Sequence, residues 1–490
     1  MPSLKSLAKE TAIYGLSSIV GRFLNYLLVP LYTAKLSAES GGYGVITNMY
    51  SYVALLFVIL TYGMETTFFR FSNKSDERPE HVYSTTLIAV GSTSLLFVAL
   101  VMLLLSPISS AMGYADHPEY VAVMAACVAI DAFQAIPFAY LRHTKRAIKF
   151  ASLKLLFIFM NIGLNLLYFV LLPALYKDYP DVVGCIYSPT VGVGYAFFLN
   201  LFCTATITFF FRRELTGFKY VFDRALLRRM LRYSMPILLL GIAGILNQTA
   251  DKILFPFLCS ADNAQRELGI YGAASKIAMI MAMITQAFRY AYEPFVFSKS
   301  NDRDSKETYA QAMKYFIIFT LLAFLAVVAY LDILKYLIAP DYWSGLRVVP
   351  IVMAAEIMMG IYFNLSFWYK LIDRTMWGAV FSGIGCAVLV VVNVIFVPRY
   401  GYIACAWAGC AGYGTAMLLS YLVGQKKYPI AYPLRRILGY TLLATAIFAL
   451  YLLLPPMGIW AAAAVKTVGL VVFLAVIVRN EHFRLPAMRR

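Results

Sequence analysis

Basic residues embedded in apolar stretches are the first feature that points to chemistry. Arg22, Lys252, Lys276 and Arg289 each lie within a stretch about as long as a membrane span. A charge at the centre of a membrane helix costs about 2.5–3.5 kcal/mol on insertion scales, so each such residue needs a purpose. A guanidinium donates two hydrogen bonds to one phosphate, which suits an anionic ligand. These residues therefore indicate an anion-binding surface inside a membrane protein.

The first apolar stretch carries a polar stripe whose members are three or four residues apart. The stripe consists of Thr11, Tyr14, Ser18, Arg22 and Asn25. Such a stripe must face water or a bundle interior, because lipid would leave it unpaired. We expect Arg22 and Asn25 to bind substrate. The alternative is a structural arginine paired with an acid such as Asp251 or Glu356.

A second polar face follows from Gln286, Arg289 and Glu293, which are spaced for one side of a helix. Gln286 and Arg289 are expected to contact an anion, whereas pairing of Arg289 with Glu293 is the structural alternative. Lys276 is a further substrate-binding candidate, although a lysine near a span end can also snorkel toward water.

Embedded acids suggest ion coupling. Asp251 predicts an ion or proton site, with Lys252 facing substrate; the alternative is a structural salt-bridge network. Adjacent residues point about 100° apart on a helix, so the two are not expected to share a partner comfortably. Glu356 is the second coupling candidate. For Asp131 and Lys466, a role in packing or at the membrane interface is as well supported as a functional one.

The chemistry of enzymes and metal sites is not indicated. The chain has no GxxxxGK[ST] motif, and its histidines lie in loops or at span ends. The seven cysteines are scattered without metal-ligand spacing. No nucleophile–base pair stands out. We expect no metal, no cofactor and no enzymatic activity.

Composition identifies the elements that must position these residues. The 490 residues are 61% hydrophobic and 14% charged, with mean hydropathy +0.72. This excludes a soluble enzyme, a disordered chain and a secreted disulfide scaffold. About fourteen apolar stretches are long enough to span a bilayer. They are 12–33, 43–64, 85–106, 118–141, 151–173, 190–211, 233–257, 269–297, 313–336, 347–370, 376–397, 402–424, 438–455 and 460–478.

Basic residues give the orientation and explain the net charge of +17. With a cytoplasmic N-terminus, about 31 of the 42 lysines and arginines fall on inner loops and flanks. Both termini are therefore predicted to be cytoplasmic. The basic segment 212–232 is explained by topology and contact with anionic lipid rather than by nucleic acid.

An offset of 228 residues indicates an internal repeat that relates the two halves, with chance similarity between apolar helices as the alternative. Tyr43-Gly44 then matches Tyr271-Gly272, and Glu65 matches Glu293. Six helices per copy make the copies parallel, a transporter pattern with the site between the halves. The predicted divisions are a six-helix lobe at 1–211, a basic cytoplasmic linker at 212–232, a second six-helix lobe at 233–424, and an extra helix pair with a tail at 425–490.

The chain resembles the Wzx-type polysaccharide flippases of the superfamily that includes MATE exporters and MurJ. The resemblance rests on Gly15-Leu16-Ser17-Ser18, Gly21-Arg22-Phe23, Pro30-Leu31-Tyr32, Tyr43-Gly44 and the stretch from Gln286 to Phe295. It implies an all-α polytopic fold with a V-shaped pair of six-helix lobes around a cationic cavity, plus two extra C-terminal helices.

The resemblance also implies a function in the bacterial inner membrane. The cargo would be an undecaprenyl-diphosphate-linked oligosaccharide, moved to the periplasmic leaflet by alternating access and coupled to a H⁺ or Na⁺ gradient. Because this fold needs no partner to form its cavity, we expect a monomer, with a polysaccharide polymerase or ligase as further partners. A multidrug or cation antiporter, a lipid II flippase and, more remotely, a glycan polymerase or ligase remain alternatives.

Overall fold

The computed structural model describes residues 26–73, 77–259, 263–298, 305–372 and 374–481, excluding the side chains of 290, 291, 293–295, 297 and 298. These ranges are helical and contain no strand. Twelve helical segments within them are long and apolar enough to cross a membrane. The all-helical membrane fold is therefore confirmed.

The number of spans matches the predicted stretches only in part. The first stretch, 12–33, falls largely outside the described residues, and 190–211 contains a shorter apolar helix, Gly194–Phe209. Each of the other predicted stretches coincides with one of the twelve segments. The count of fourteen stays a prediction.

The chain packs as two compact units. The first contains residues 1–272 and 393–402, and the second contains 273–392 and 403–490. Helices of the first unit are α1 (Leu28–Lys35), α2 (Gly42–Thr61), α3 (Met64–Ser72), α4 (Pro79–Leu103), α5 (Leu105–Ala111), α6 (Pro118–His143), α7 (Ala147–Leu166), α8 (Leu172–Asp178), α9 (Pro180–Val183), α10 (Gly194–Phe209), α11 (Arg212–Thr216) and α12 (Arg224–Leu258).

Helix α13 (Ala264–Ser298) begins in the first unit and continues in the second. The second unit also contains α14 (Ser305–Ala329), α15 (Leu331–Leu334), α16 (Val349–Leu365), α17 (Phe367–Leu371), most of α18 (Met376–Tyr400), α19 (Tyr402–Lys427), α20 (Leu434–Leu453) and α21 (Ile459–Glu481). The predicted lobe and linker boundaries stay a prediction.

Local chemistry sets where several helices begin. Proline stands at the first position of α4 and α6, where a missing N–H does no harm. Asp223 caps α12 by accepting hydrogen bonds from the backbone N–H groups of Ala225 and Leu226, at 2.8 and 3.0 Å. Gly63, with φ +70°, permits the bend between α2 and α3.

Each unit has one central helix. In the first, α6 packs against α2, α4, α7 and α10, and α12 packs along α2. In the second, α14 packs against α16, α20 and α21. The two C-terminal helices are thus an integral part of the second unit.

Two ion pairs fasten α21, the last of these helices, to other elements of the second unit. Lys314 on α14 pairs with Glu481 at the end of α21, and both side chains are buried. Lys466 on α21 pairs with Asp332 on α15 at 2.7 Å. The embedded Lys466 therefore has a structural partner, in agreement with its interpretation as a packing feature.

Candidate functional site

The predicted site residues fall on three helices and in both units. Arg22 and Asn25 lie outside the described residues. Asp251 and Lys252 lie on α12 in the first unit. In the second unit, α13 carries Lys276, Gln286 and Arg289, and α16 carries Glu356.

Asp251 is buried and strongly held. The ammonium of Lys252 lies 3.0 Å from each of its carboxylate oxygens, and the hydroxyl of Tyr271 donates to Oδ2 at 2.7 Å. The lysine side chain curls back along its own helix and also donates to the carbonyl of Gln248 at 2.9 Å. The two neighbours bind each other, because the lysine side chain is long enough to reach back to the aspartate, and this contact corresponds to the structural alternative of a salt bridge.

A hydrogen-bonded chain extends this pair to three other elements. Asn48 on α2 donates to the carbonyl of Lys252 at 2.8 Å and accepts from the hydroxyl of Tyr114 at the same distance. Gln265 on α13 donates to that hydroxyl at 3.2 Å. Asn48 and Tyr114 are buried. The chain joins the start of α13 to α2 and α12.

The glycines of the repeated Tyr-Gly pair bring α2 and α13 into close contact. A Cβ at Gly44 would lie 1.8 Å from the carbonyl oxygen of Gln265. A Cβ at Gly272 would lie 2.4 Å from the hydroxyl of Thr47. Neither position accommodates a side chain without movement. We call this contact, formed by Gly44, Thr47, Gln265 and Gly272, the glycine crossing.

The predicted anion face in the second unit exposes a cation. The side chain of Arg289 is exposed, and its guanidinium carbon lies 5.1 Å from the ring centre of Phe363 on α16. An aromatic face attracts a guanidinium through the negative charge of its ring. Gln286 and Lys276 on the same helix are half-buried.

Glu356 is half-buried on α16, two turns before Asn364. Asn364 is buried, and within the described residues its side-chain NH₂ has no hydrogen-bond partner. It lines a small cavity beside Phe367 and Trp368. A polar group of this kind is suited to an ordered water.

Comparison with known proteins gives the family. The polysaccharide biosynthesis protein family matches residues 7–294, more than half of the chain. The chain belongs to this family. No curated protein matches it by sequence.

Solved structures give the fold of this family member. The lipid II flippase MurJ in an inward closed conformation aligns with a TM-score of 0.72 at 15% identity, covering 96% of this chain and 99% of that one. An inward-facing MATE family multidrug resistance transporter of the MOP superfamily aligns at 0.62 and 16%, covering 85% and 94%. The MATE multidrug transporter DinF-BH aligns at 0.58 and 16%, covering 87% and 96%. The chain therefore has a MurJ- and MATE-like fold.

One polar cluster in the first unit was not singled out from the sequence. Thr204 on α10 donates to Asp131 on α6 at 3.3 Å. Cys127 donates to Asn200 at 3.2 Å, and Asn200 donates to the hydroxyl of Tyr50 at 2.5 Å. The four-residue spacings of Cys127–Asp131 and Asn200–Thr204 were the available signal, because each places two polar groups on one helix face.

Charged residues at one end of the first unit are also paired. Glu65 on α3 pairs with Arg142 on α6, whose guanidinium carbon lies 5.1 Å from the ring centre of Phe69. Glu65 thus helps to fasten α3 to α6. Lys154 lies on α7 with its ammonium 4.0 Å from the ring centre of Phe138.

Proposed function

We propose that this protein flips a polyprenyl-diphosphate-linked oligosaccharide from the cytoplasmic to the periplasmic leaflet of a bacterial inner membrane. Family membership supports a role in polysaccharide synthesis, and the fold supports transport. The observation that carries the anionic cargo is Arg289, a cation retained on a spanning helix with its side chain exposed. A lipid-linked diphosphate offers oxygens that a guanidinium binds in pairs.

The diphosphate is bound by Arg289 and Lys276, with Gln286 beside them on the same helix. Arg22 and Asn25 contribute from the first predicted span. Lys252 adds a further positive charge to the diphosphate site when its ammonium releases the carboxylate of Asp251. The sugar meets aromatic and polar side chains, of which the chain has many.

Coupling to a H⁺ or Na⁺ gradient uses Asp251 or Glu356. Asp251 offers a physical link between ion binding and movement. Protonation of its carboxylate would remove the ion pair with Lys252 and weaken the bond from Tyr271, both of which lie next to the glycine crossing. On the predicted topology this crossing is at the periplasmic ends of α2 and α13. We propose that it opens and closes during alternating access.

The test uses a deletion strain complemented with wild-type protein or with Arg289→Ala, Arg289→Lys or Arg435→Ala. Arg435 is exposed in the first turn of α20 and serves as the matched control. We expect Arg289→Ala to lose surface polysaccharide and to accumulate a complete lipid-linked unit, whereas Arg435→Ala behaves as wild type. Arg289→Lys keeps the charge but not the fork, so a partial rescue is expected.

Three outcomes would overturn the proposal. Normal surface polysaccharide in the deletion strain, with no accumulated intermediate, would rule out this cargo and direct attention to drug export. Loss of viability with accumulated lipid II would indicate a lipid II flippase instead. Product formation by the purified protein from lipid-linked sugar alone would indicate a polymerase or ligase.

A further inference from the structure

The end of α10 and the segment that follows it, up to α12, present basic and aromatic side chains together. Arg212, Arg213 and Lys219 are exposed. Phe209 is 80% exposed, and Phe210 and Tyr220 are 49% and 54% exposed. We call these six residues the basic–aromatic surface. It lies where the chain leaves one apolar helix and before it enters the next, so it is positioned at a membrane face.

This surface is fixed to the first unit rather than loosely tethered. Glu214, on α11, is buried and binds the side chains of Arg146 at 3.2 Å and Lys149 at 2.6 Å. The backbone N–H of Val221 donates to Ser84 at 2.8 Å. Such anchoring holds the exposed side chains in one orientation.

The acids of the segment are used internally. Glu214 neutralises Arg146 and Lys149, and Asp223 accepts two backbone N–H groups at the start of α12. No acid of the segment, all of which the structure describes, therefore offsets the charge of Arg212, Arg213 and Lys219 at the surface.

We propose that the basic–aromatic surface binds the headgroups of anionic phospholipids in the adjacent leaflet. Arginine and lysine at a membrane face attract anionic lipid, and aromatic side chains settle at the headgroup level. Phenylalanines this exposed beside a span are accommodated by acyl chains, which a soluble acidic partner would not provide. Three such basic residues raise the apparent affinity for an anionic surface roughly a hundredfold, at about fivefold each.

The experiment places the full-length protein in nanodiscs of phosphatidylcholine alone or with phosphatidylglycerol. Wild-type protein is compared with the triple variant Arg212→Gln/Arg213→Gln/Lys219→Gln. The matched control is Lys426→Gln/Lys427→Gln/Arg435→Gln, which removes three exposed charges from the second unit. The readouts are the Tm difference between the two lipid compositions and the phosphatidylglycerol retained in native mass spectrometry.

We expect phosphatidylglycerol to raise the Tm of the wild type and the control, and the triple variant to lose most of that increase and most of the retained lipid. Raising the salt concentration should reduce the increase, because headgroup attraction is screened. Equal responses of the triple variant and the control would overturn the proposal. A variant that unfolds in phosphatidylcholine would be replaced by Lys219→Gln alone, judged by lipid retention. None of these readouts depends on transport.

Discussion

A disulfide across the glycine crossing tests whether α2 and α13 must separate during transport. The variant Thr47→Cys/Gly272→Cys is suited to this. A Cβ built at position 272 lies 3.2 Å from the Cβ of Thr47. Disulfides prefer about 3.8 Å between these atoms, so closure needs a shift of only about 0.6 Å. Removing the threonine side chain also removes its close contacts with the new Cβ.

The covalent bond should stop transport, because cargo binding cannot break it. The seven native cysteines are first replaced, and transport of lipid-linked oligosaccharide is measured in proteoliposomes before and after oxidation. We expect a roughly tenfold fall, with residual activity coming from the uncrosslinked fraction, and recovery on reduction.

The matched control is Ala355→Cys/Gly409→Cys. Its Cβ atoms lie 3.7 Å apart, and both residues belong to the second unit. Oxidation should join α16 to α19 without affecting transport. Full activity in the crosslinked Thr47→Cys/Gly272→Cys protein would refute an opening of the crossing. If wild-type protein and both reduced variants fail to transport, the proposed cargo is at fault instead.

Three further predictions concern stability and pH. Gly44→Ala should destabilise the protein by about 1–3 kcal/mol through overpacking and so lower its Tm. Gly163→Ala should leave the Tm unchanged, because a Cβ at position 163 has no neighbour within 4 Å. Thermal unfolding of both variants in detergent checks this. Glu481→Gln should destabilise the protein by about 3–5 kcal/mol, since it leaves the buried cation of Lys314 unpaired, and an unchanged Tm would contradict this. Hydrogen bonds from the backbone N–H groups of Leu226 and Ala225 lower the pKa of Asp223 in the folded protein. The stabilisation from this cap is therefore complete above the pKa of an unfolded aspartate, about 3.9. It is lost as the pH falls through the lower pKa that Asp223 has in the folded protein. Hydrogen exchange at the start of α12 should report that loss, and Asp223→Asn should abolish its pH dependence.

The membrane helices were predictable because apolar length is a strong signal that needs no tertiary information. Their bounds were less so. α12 begins at Arg224 rather than at 233, because Asp223 caps a basic turn that hydropathy excludes. A charged turn can extend a membrane helix beyond its apolar core. A search for apolar stretches therefore places the end of such a helix too close to its centre.

The site was less predictable than the fold because charged residues were identified without their partners. The sequence shows Asp251 and Lys252 as two separate charges, and helical geometry argues against a shared partner. The structure shows that the lysine reaches back to the aspartate, while Tyr271 approaches from α13. A long side chain can reach a neighbour whose Cα points in a different direction around the helix. Sequence spacing therefore limits the possible partners of short side chains more strongly than those of lysine or arginine.

The repeated Tyr-Gly pair illustrates how duplication and packing reinforce each other. The sequence shows only that Gly44 and Gly272 are equivalent at an offset of 228. In the structure both glycines serve one contact: Gly44 receives the backbone of α13, and Gly272 receives Thr47 of α2. A substitution in either copy would force the same two helices apart. Both copies are therefore held to glycine by one steric requirement, and this is why the crossing is the position where a covalent lock gives the clearest test of movement.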